Sequence, residues 1–444
     1  MGYRKRDLIG AILAVVLSAG SAAASDDLVM HGLVSQGFLK TNNNNYLNKS
    51  NDGSTEFNEF ILNFQKNMDE KVRVGMQLIS RDLGSEGNNN VKVDWGYGDY
   101  RYSDNLGLRL GRVKVPFGLY NQYRDIDMLR TPVLLPTGIY MEDYRTFLTG
   151  FNGGSVYGTI PMDKGSLDLE LVVGGADIDP DAGVVKEVVG NINRMFEAGA
   201  TAKLYAGLAA KGIPAPQLAA LKAAGLSVAH SGEPERDTTS KICHSSKLVW
   251  NTPVEGLRIG GTHTDVDTQA DEIMVFQPIF IPTAAGLTPV STGYSVDVDA
   301  NLRFKVDIGS FEYNINKITL AGEFMAAHQT LNYTVAPPAA IASTTTGQVS
   351  MTSQGSYLQA VYRHSDKHEW ALCHSELFSD KNNKLPDQSH KDTSVSFRYN
   401  ITTDWSVKTE YHWFIGTGQL QTELNPTGAE KNWNMVALKT TYNF

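Results

Sequence analysis

Residues 432–444 alternate strictly in character, and this pattern constrains the fold more than any other feature. Val436, Leu438, Thr440, Tyr442 and Phe444 share one face of an extended chain. Trp433, Met435, Ala437, Lys439, Thr441 and Asn443 share the other. A period of two is the signature of a strand with two unlike faces. It recurs in 295–306, where Val296, Val298, Ala300, Leu302, Phe304 and Val306 alternate with Asp297, Asp299, Asn301, Arg303 and Lys305. It recurs again in 405–414, 72–81 and 167–173. Strands of a water-soluble sandwich run to about 5–6 residues, whereas a tilted strand that crosses a bilayer needs about 9–11. A charge facing lipid at mid-membrane costs about 2–4 kcal/mol, and the apolar faces carry none. The expected fold is all-β: a transmembrane antiparallel up-and-down β-barrel.

Hydropathy agrees. Arg4, Lys5 and Arg6 precede an apolar stretch from Leu8 to Leu17, and Ala22-Ala23-Ala24 offers a cleavage site before Ser25, so residues 1–24 read as a secretory signal peptide. Beyond Ser25 no window approaches the roughly 20 apolar residues of a membrane helix, and mean hydropathy is −0.25. A barrel wall, apolar at every second position, escapes such a search. No linker divides residues 25–444, which read as one domain. Without residues 1–24 the chain carries 36 basic and 47 acidic residues, a balance that argues against nucleic acid as a partner. Cys243 and Cys373 form no CxxC or CxxCH spacing, and no cofactor or metal site is expected. Nor is an enzyme, since GxSxG, HExxH and Gly-rich phosphate loops are missing.

Sixteen strand-like segments emerge, near 28–40, 54–66, 71–82, 91–102, 105–115, 149–160, 167–175, 239–251, 257–265, 294–306, 317–330, 355–364, 368–378, 393–400, 404–414 and 432–444. The connections alternate between short turns and long loops, as periplasmic turns and outer loops do. Two long connections stand out. Residues 176–238 contain an Ala-rich stretch, 198–229, interrupted by Pro214 and Pro216. It reads as two short helices in an outer loop or as an unstructured insertion. Residues 116–148 are too rich in charge and tyrosine for a plain surface loop.

The run from Leu110 to Gly154 holds Arg112, Lys114, Arg124, Asp125, Asp127, Arg130, Glu142, Asp143 and Arg145, interleaved with Tyr120, Tyr123, Tyr140 and Tyr144. Gly111-Arg112, Lys114 and Pro116-Phe117-Gly118, together with His31-Gly32 and Ser35-Gln36-Gly37, resemble the phosphate-selective porin O and P superfamily of bacterial outer-membrane proteins. The resemblance covers about residues 28–160 and the last strand. It implies that 116–148 is a third outer loop folded into the lumen as a constriction, that the chain is a homotrimer, and that the outer membrane, reached through the periplasm, is its location. The terminal strand also resembles that of other outer-membrane barrels, in which aromatic residues placed like Tyr442 and Phe444 signal to the barrel assembly machinery. The lysine clusters and arginine ladders of the phosphate porins cannot be matched residue by residue here, so phosphate specificity is not implied.

Register assigns Arg73, Arg81, Lys92, Arg109, Lys241, Lys247, Arg258, Arg303, Lys305, Arg363, Arg398, Lys408 and Lys439 to the lumen, against Asp94, Asp168, Glu170, Asp297, Asp299, Glu323 and Glu410. A basic lumen concentrates anions, unless its charges are mutually paired. The expected function is passive diffusion of small hydrophilic solutes, anions foremost, across an outer membrane. The alternative is a non-conducting barrel that serves as a structural or partner-binding scaffold.

Overall fold

The computed structural model describes residues 28–444, except 85, 143–144, 179–182, 233, 284–285, 292 and 339–342. The signal-peptide assignment and Asp143 therefore lie outside the described residues. Sixteen strands close into one antiparallel barrel. They are β1 (Leu28–Thr41), β2 (Asn58–Asn67), β3 (Val72–Asp82), β4 (Val91–Ser103), β5 (Leu106–Lys114), β6 (Gly150–Pro161), β7 (Ser166–Ala176), β8 (Glu235–Ser240, resuming as Ile242–Asn251), β9 (Leu257–Phe276), β10 (Tyr294–Ile315), β11 (Ile318–Ala336), β12 (Thr345–Arg363), β13 (His368–Phe378), β14 (Ser389–Asn400), β15 (Trp405–Ile415) and β16 (Asn432–Asn443). Each pairs with the next. β16 closes the ring on β1, with Phe38 opposite Leu438 and Val34 opposite Tyr442. Past that ladder, Phe444 exchanges two backbone hydrogen bonds with Gly32. The Phe444 ring lies over Gly32, where a Cβ would meet Cζ at 2.1 Å, so a larger residue there would displace the terminal aromatic.

The alternation seen in sequence becomes two faces of a wall. On β15, Trp405, Val407, Tyr411, Trp413 and Ile415 are exposed outward, whereas Ser406, Lys408, Glu410, His412 and Phe414 are buried inward. On β3, Val74 and Met76 point out while Gln77, Ile79 and Arg81 point in. The barrel is therefore apolar outside and largely polar inside, the polarity expected of a membrane barrel.

The long strands β9 to β12 depart from this rule toward their outer ends. On β10, Val296, Val298, Ala300, Phe304, Val306 and Ile308 are buried within the barrel, in a cluster with Phe117, Tyr140, Val185 and Val189. Arg303 and Lys305 consequently stand on the outer surface, where both meet Asp265, at 2.8 and 3.7 Å. The assignment of Arg303 and Lys305 to the lumen is thereby corrected, as is that of Asp297 and Asp299. Lys241, in the break of β8, likewise pairs outside with Asp267. The cause is physical. These strands are 19 to 22 residues long and exceed what a bilayer requires, so their upper outer faces carry polar groups while their inner faces pack against polypeptide.

That polypeptide includes α1 (Gly183–Ala210), followed by α2 (Ala215–Ala223) after Pro214. α1 begins ahead of the Ala-rich stretch 198–229, and the break between the two helices falls just before Pro214 and Ala215. Its first turns bury Val185, Val189 and Ile192 against Phe276, Val296 and Val298 of the wall. Cys243 and Cys373 are buried as free thiols.

Candidate functional site

Between β5 and β6 the chain leaves the wall and crosses the interior. Its base is drawn together by Asn121, whose side-chain amide donates to the carbonyls of Val115 and Leu148 at 2.9 and 2.7 Å. From there the segment reaches the opposite wall. The Leu119 and Val133 amides donate to Glu323 and Glu410 at 2.9 and 2.7 Å, and the Gly138 amide donates to Ser375 Oγ at 2.6 Å. Thr131 donates to Glu369 at 2.8 Å, and Tyr140 to Glu323. These bonds join one loop to β11, β13 and β15, so the segment spans the barrel rather than capping it.

Two charge clusters hold it. Asp127 lies among Lys408 (3.0 Å), Lys439 (3.2 Å) and Arg130 (3.3 Å), and accepts a hydrogen bond from Thr441 at 2.7 Å. Asp127, Lys408 and Lys439 are fully buried. Burial alone would raise the Asp127 pKa, but Lys408, Lys439 and Arg130 outweigh it and hold the carboxyl well below its ordinary range. In the second cluster Arg145 donates to Glu59 and Asp125 at 2.8 and 2.9 Å. Asp125 also binds Lys114, and Glu142 bridges Arg81 and Arg124, each at 3.0 Å. Against burial, Lys114 and Arg145 lower the pKa of Asp125, and Arg124, Arg81 and Arg145 lower that of Glu142. Burial draws the Arg124 guanidinium down to about 10, with Glu142 opposing.

Seven of the loop and strand-end residues singled out in sequence, Lys114, Arg124, Asp125, Asp127, Arg130, Glu142 and Arg145, thus meet in one buried network. Arg112 stands apart, on Asp177 and the Asp94 carbonyl. Sequence reading missed Glu59, the wall partner of both Arg145 and Lys439. Its signal was available, since Glu59 shares parity with Ile61 on the inner face of β2.

The remaining wall cations differ in one respect. Asp99, Glu312 and Glu369 pair with Arg73, Arg258 and Arg363. Arg73 and Arg258 lie at the start of their strands and Arg363 at the end of its own, so all three sit beside the short turns. Their side chains are 45%, 43% and 66% exposed, against 8%, 13% and 8% for the carboxylates. Each pair hides its acid behind its base. Arg109 and Lys247 repeat the pattern deeper in the barrel, over Glu170. Arg398 and Lys408 are buried, bonded to the Met128 and Asp127 carbonyls of the loop.

No family model matches the chain, and no curated protein matches it in sequence. Among solved structures it is similar to OmpF of Salmonella typhi, at 10% identity and TM-score 0.49, over 94% of this chain and 97% of that one. It is similar to the outer membrane channel DcaP of Acinetobacter baumannii, at 8% and 0.46, over 94% and 97%. It is also similar to an anion-selective porin from Comamonas acidovorans, at 10% and 0.42, over 94% and 99%.

Proposed function

We propose that the chain is an outer-membrane channel for passive diffusion of small hydrophilic solutes, narrowed by residues 116–148 and favouring anions. The observation that carries the preference is the arginine set at the short-turn end. A solute entering there meets Arg73, Arg258 and Arg363, while the matching carboxylates are withdrawn. An exposed cation whose counter-charge is recessed leaves a positive potential over the opening. The barrel's apolar outer face supports insertion in a membrane. Membership of the phosphate-selective porin superfamily, homotrimeric assembly and recognition by the barrel assembly machinery remain parts of this reading that rest on the motifs around Gly111 and Phe444. The constriction role extends to Lys114, Arg124, Asp125, Asp127, Arg130, Glu142 and Arg145 as the scaffold that positions the loop.

A second reading, a non-conducting scaffold, draws support from α1, whose buried face fills part of the outer end of the lumen. A scaffold passes no current, and in a conducting barrel replacing Arg73, Arg258 and Arg363 together by glutamine tests the anion preference. In a salt gradient the unmodified protein should show a reversal potential displaced toward that of anions, and the triple variant should lose most of the displacement. The difference should shrink as salt rises, because the Debye length is about 10 Å at 0.1 M and about 3 Å at 1 M. An unchanged reversal potential would show that Arg73, Arg258 and Arg363 do not set the preference.

A further inference from the structure

Between Tyr120 and Arg130 the inner loop is inverted in polarity. Its charged residues Arg124, Asp125 and Asp127 are buried, while Tyr123, Ile126 and Leu129 are 54%, 44% and 68% exposed. The backbone sets this spacing. Two 3₁₀ turns, Asn121–Tyr123 and Asp127–Leu129, lie in the stretch. The Tyr123, Ile126 and Leu129 amides donate in succession to the Tyr120, Tyr123 and Ile126 carbonyls, at 2.9, 2.9 and 3.0 Å. Each bond joins a residue to the third before it, a spacing that sets side chains above one another on one side. Tyr123, Ile126 and Leu129 therefore form one apolar strip.

The strip faces the lumen, because its segment is bonded to the inner wall at both ends. At one end the Gln122 side chain donates to Glu170 at 2.8 Å and accepts from Lys247 at 2.6 Å. At the other, Arg398 donates to the Met128 carbonyl at 2.6 Å and Thr131 donates to Glu369 at 2.8 Å. Glu170, Lys247, Glu369 and Arg398 all lie in the short-turn halves of their strands. A side chain exposed on a segment enclosed at that level meets the water of the short-turn vestibule. Cations flank the strip at either end. Arg109 and Lys247 stand on Glu170 at 3.0 and 3.6 Å. Arg363 stands on Glu369 at 3.0 Å, with 66% of its side chain exposed.

Single exposed apolar side chains are ordinary, but three aligned in a polar passage mark a contact surface. An inorganic ion gains nothing from them. A solute with an apolar body removes their surface from water as it passes. We propose that the solute class of this channel is a small organic anion, a carboxylate on an aromatic or branched aliphatic frame. Its body lies on Tyr123, Ile126 and Leu129, and its carboxylate is held by the flanking cations, Arg363 foremost. This assignment of a solute rests on the channel reading above.

Benzoate and acetate carry the same charged group and differ in the apolar body. Full folded protein in detergent, titrated with each and followed by saturation-transfer NMR, reports binding without conduction. Benzoate should bind at least about tenfold more tightly than acetate. Tyr123→Ser/Ile126→Asn/Leu129→Asn should abolish that difference, and Tyr123→Phe alone should keep it. Arg363→Gln should weaken both probes alike. The replaced side chains are exposed, so the loop should stay docked and chloride conductance should not change. If the triple variant raises chloride conductance, Leu129→Asn alone carries the test, and it should lower the preference for benzoate. Equal affinity for the two probes, or a preference for benzoate that survives loss of the strip, overturns the proposal while chloride conductance and the channel reading stand. Absence of current steps in every salt contradicts the channel reading itself, and the proposal with it.

Discussion

Asp127→Asn should release the inner loop and raise single-channel conductance. The carboxylate stands between Lys408 and Lys439, each 1% exposed. Asparagine keeps the shape but removes the charge, which leaves Lys408 and Arg130 without their carboxylate and Lys439 with Glu59 alone. Removing one partner of a buried pair costs about 3–5 kcal/mol. The wall has its own ladders and should stay closed. The expected result is therefore larger, noisier current steps and new protease sensitivity within 116–148, with the barrel still folded by its heat-dependent gel mobility. Adding Lys408→Met and Lys439→Met to Asp127→Asn should restore part of the docking, because the uncompensated charges are then gone. Unchanged conductance and unchanged protease resistance in Asp127→Asn would show that the loop is held by other contacts.

Arg145→Glu should have a similar or larger effect. Arg145 is bonded to Glu59 and Asp125 and lies 3.8 Å from Glu142. A glutamate here would gather four carboxylates at one buried point, where repulsion acts through a low effective dielectric. Extending the change to Arg124 and Arg130 should add little, because the loop has already left. Both the single and the triple variant should gain conductance with little shift in ion preference, since the Arg124 and Arg145 side chains are only 3% and 6% exposed and that of Arg130 14%. A reversal toward cations at unchanged conductance would mean that these arginines face the permeating ions.

The strands were legible because a membrane wall imposes its period on every segment, and each expected segment corresponds to an observed strand. The side on which a charge lies was legible only where lipid forces the choice. On β16, lipid-facing Leu438 and Tyr442 fix Lys439 inward. On β10 the same alternation leaves Arg303 and Lys305 outside, because above the apolar belt α1 and the inner loop, rather than lipid, cover the apolar face. Nothing within 295–306 distinguishes those two coverings. The pairing partner of β10 carried the hint: Asp265 and Asp267 on β9 share parity with Ile259 and so belong outside, which calls for basic neighbours there. Within the loop, the density of charged residues marked the segment out, and seven of those residues meet in one network. Its partners Glu59, Glu323 and Glu410 come from three distant strands, and their convergence depends on the closed ring rather than on any local spacing.

A barrel that conducts through a lumen narrowed from within passes current in discrete units. Recording purified, folded protein in a planar bilayer tests it most directly. The account predicts discrete conductance steps of uniform size, and larger steps when Asp127→Asn is recorded under the same conditions. Folded protein that inserts into the bilayer but yields no steps in either form would contradict it and favour the scaffold.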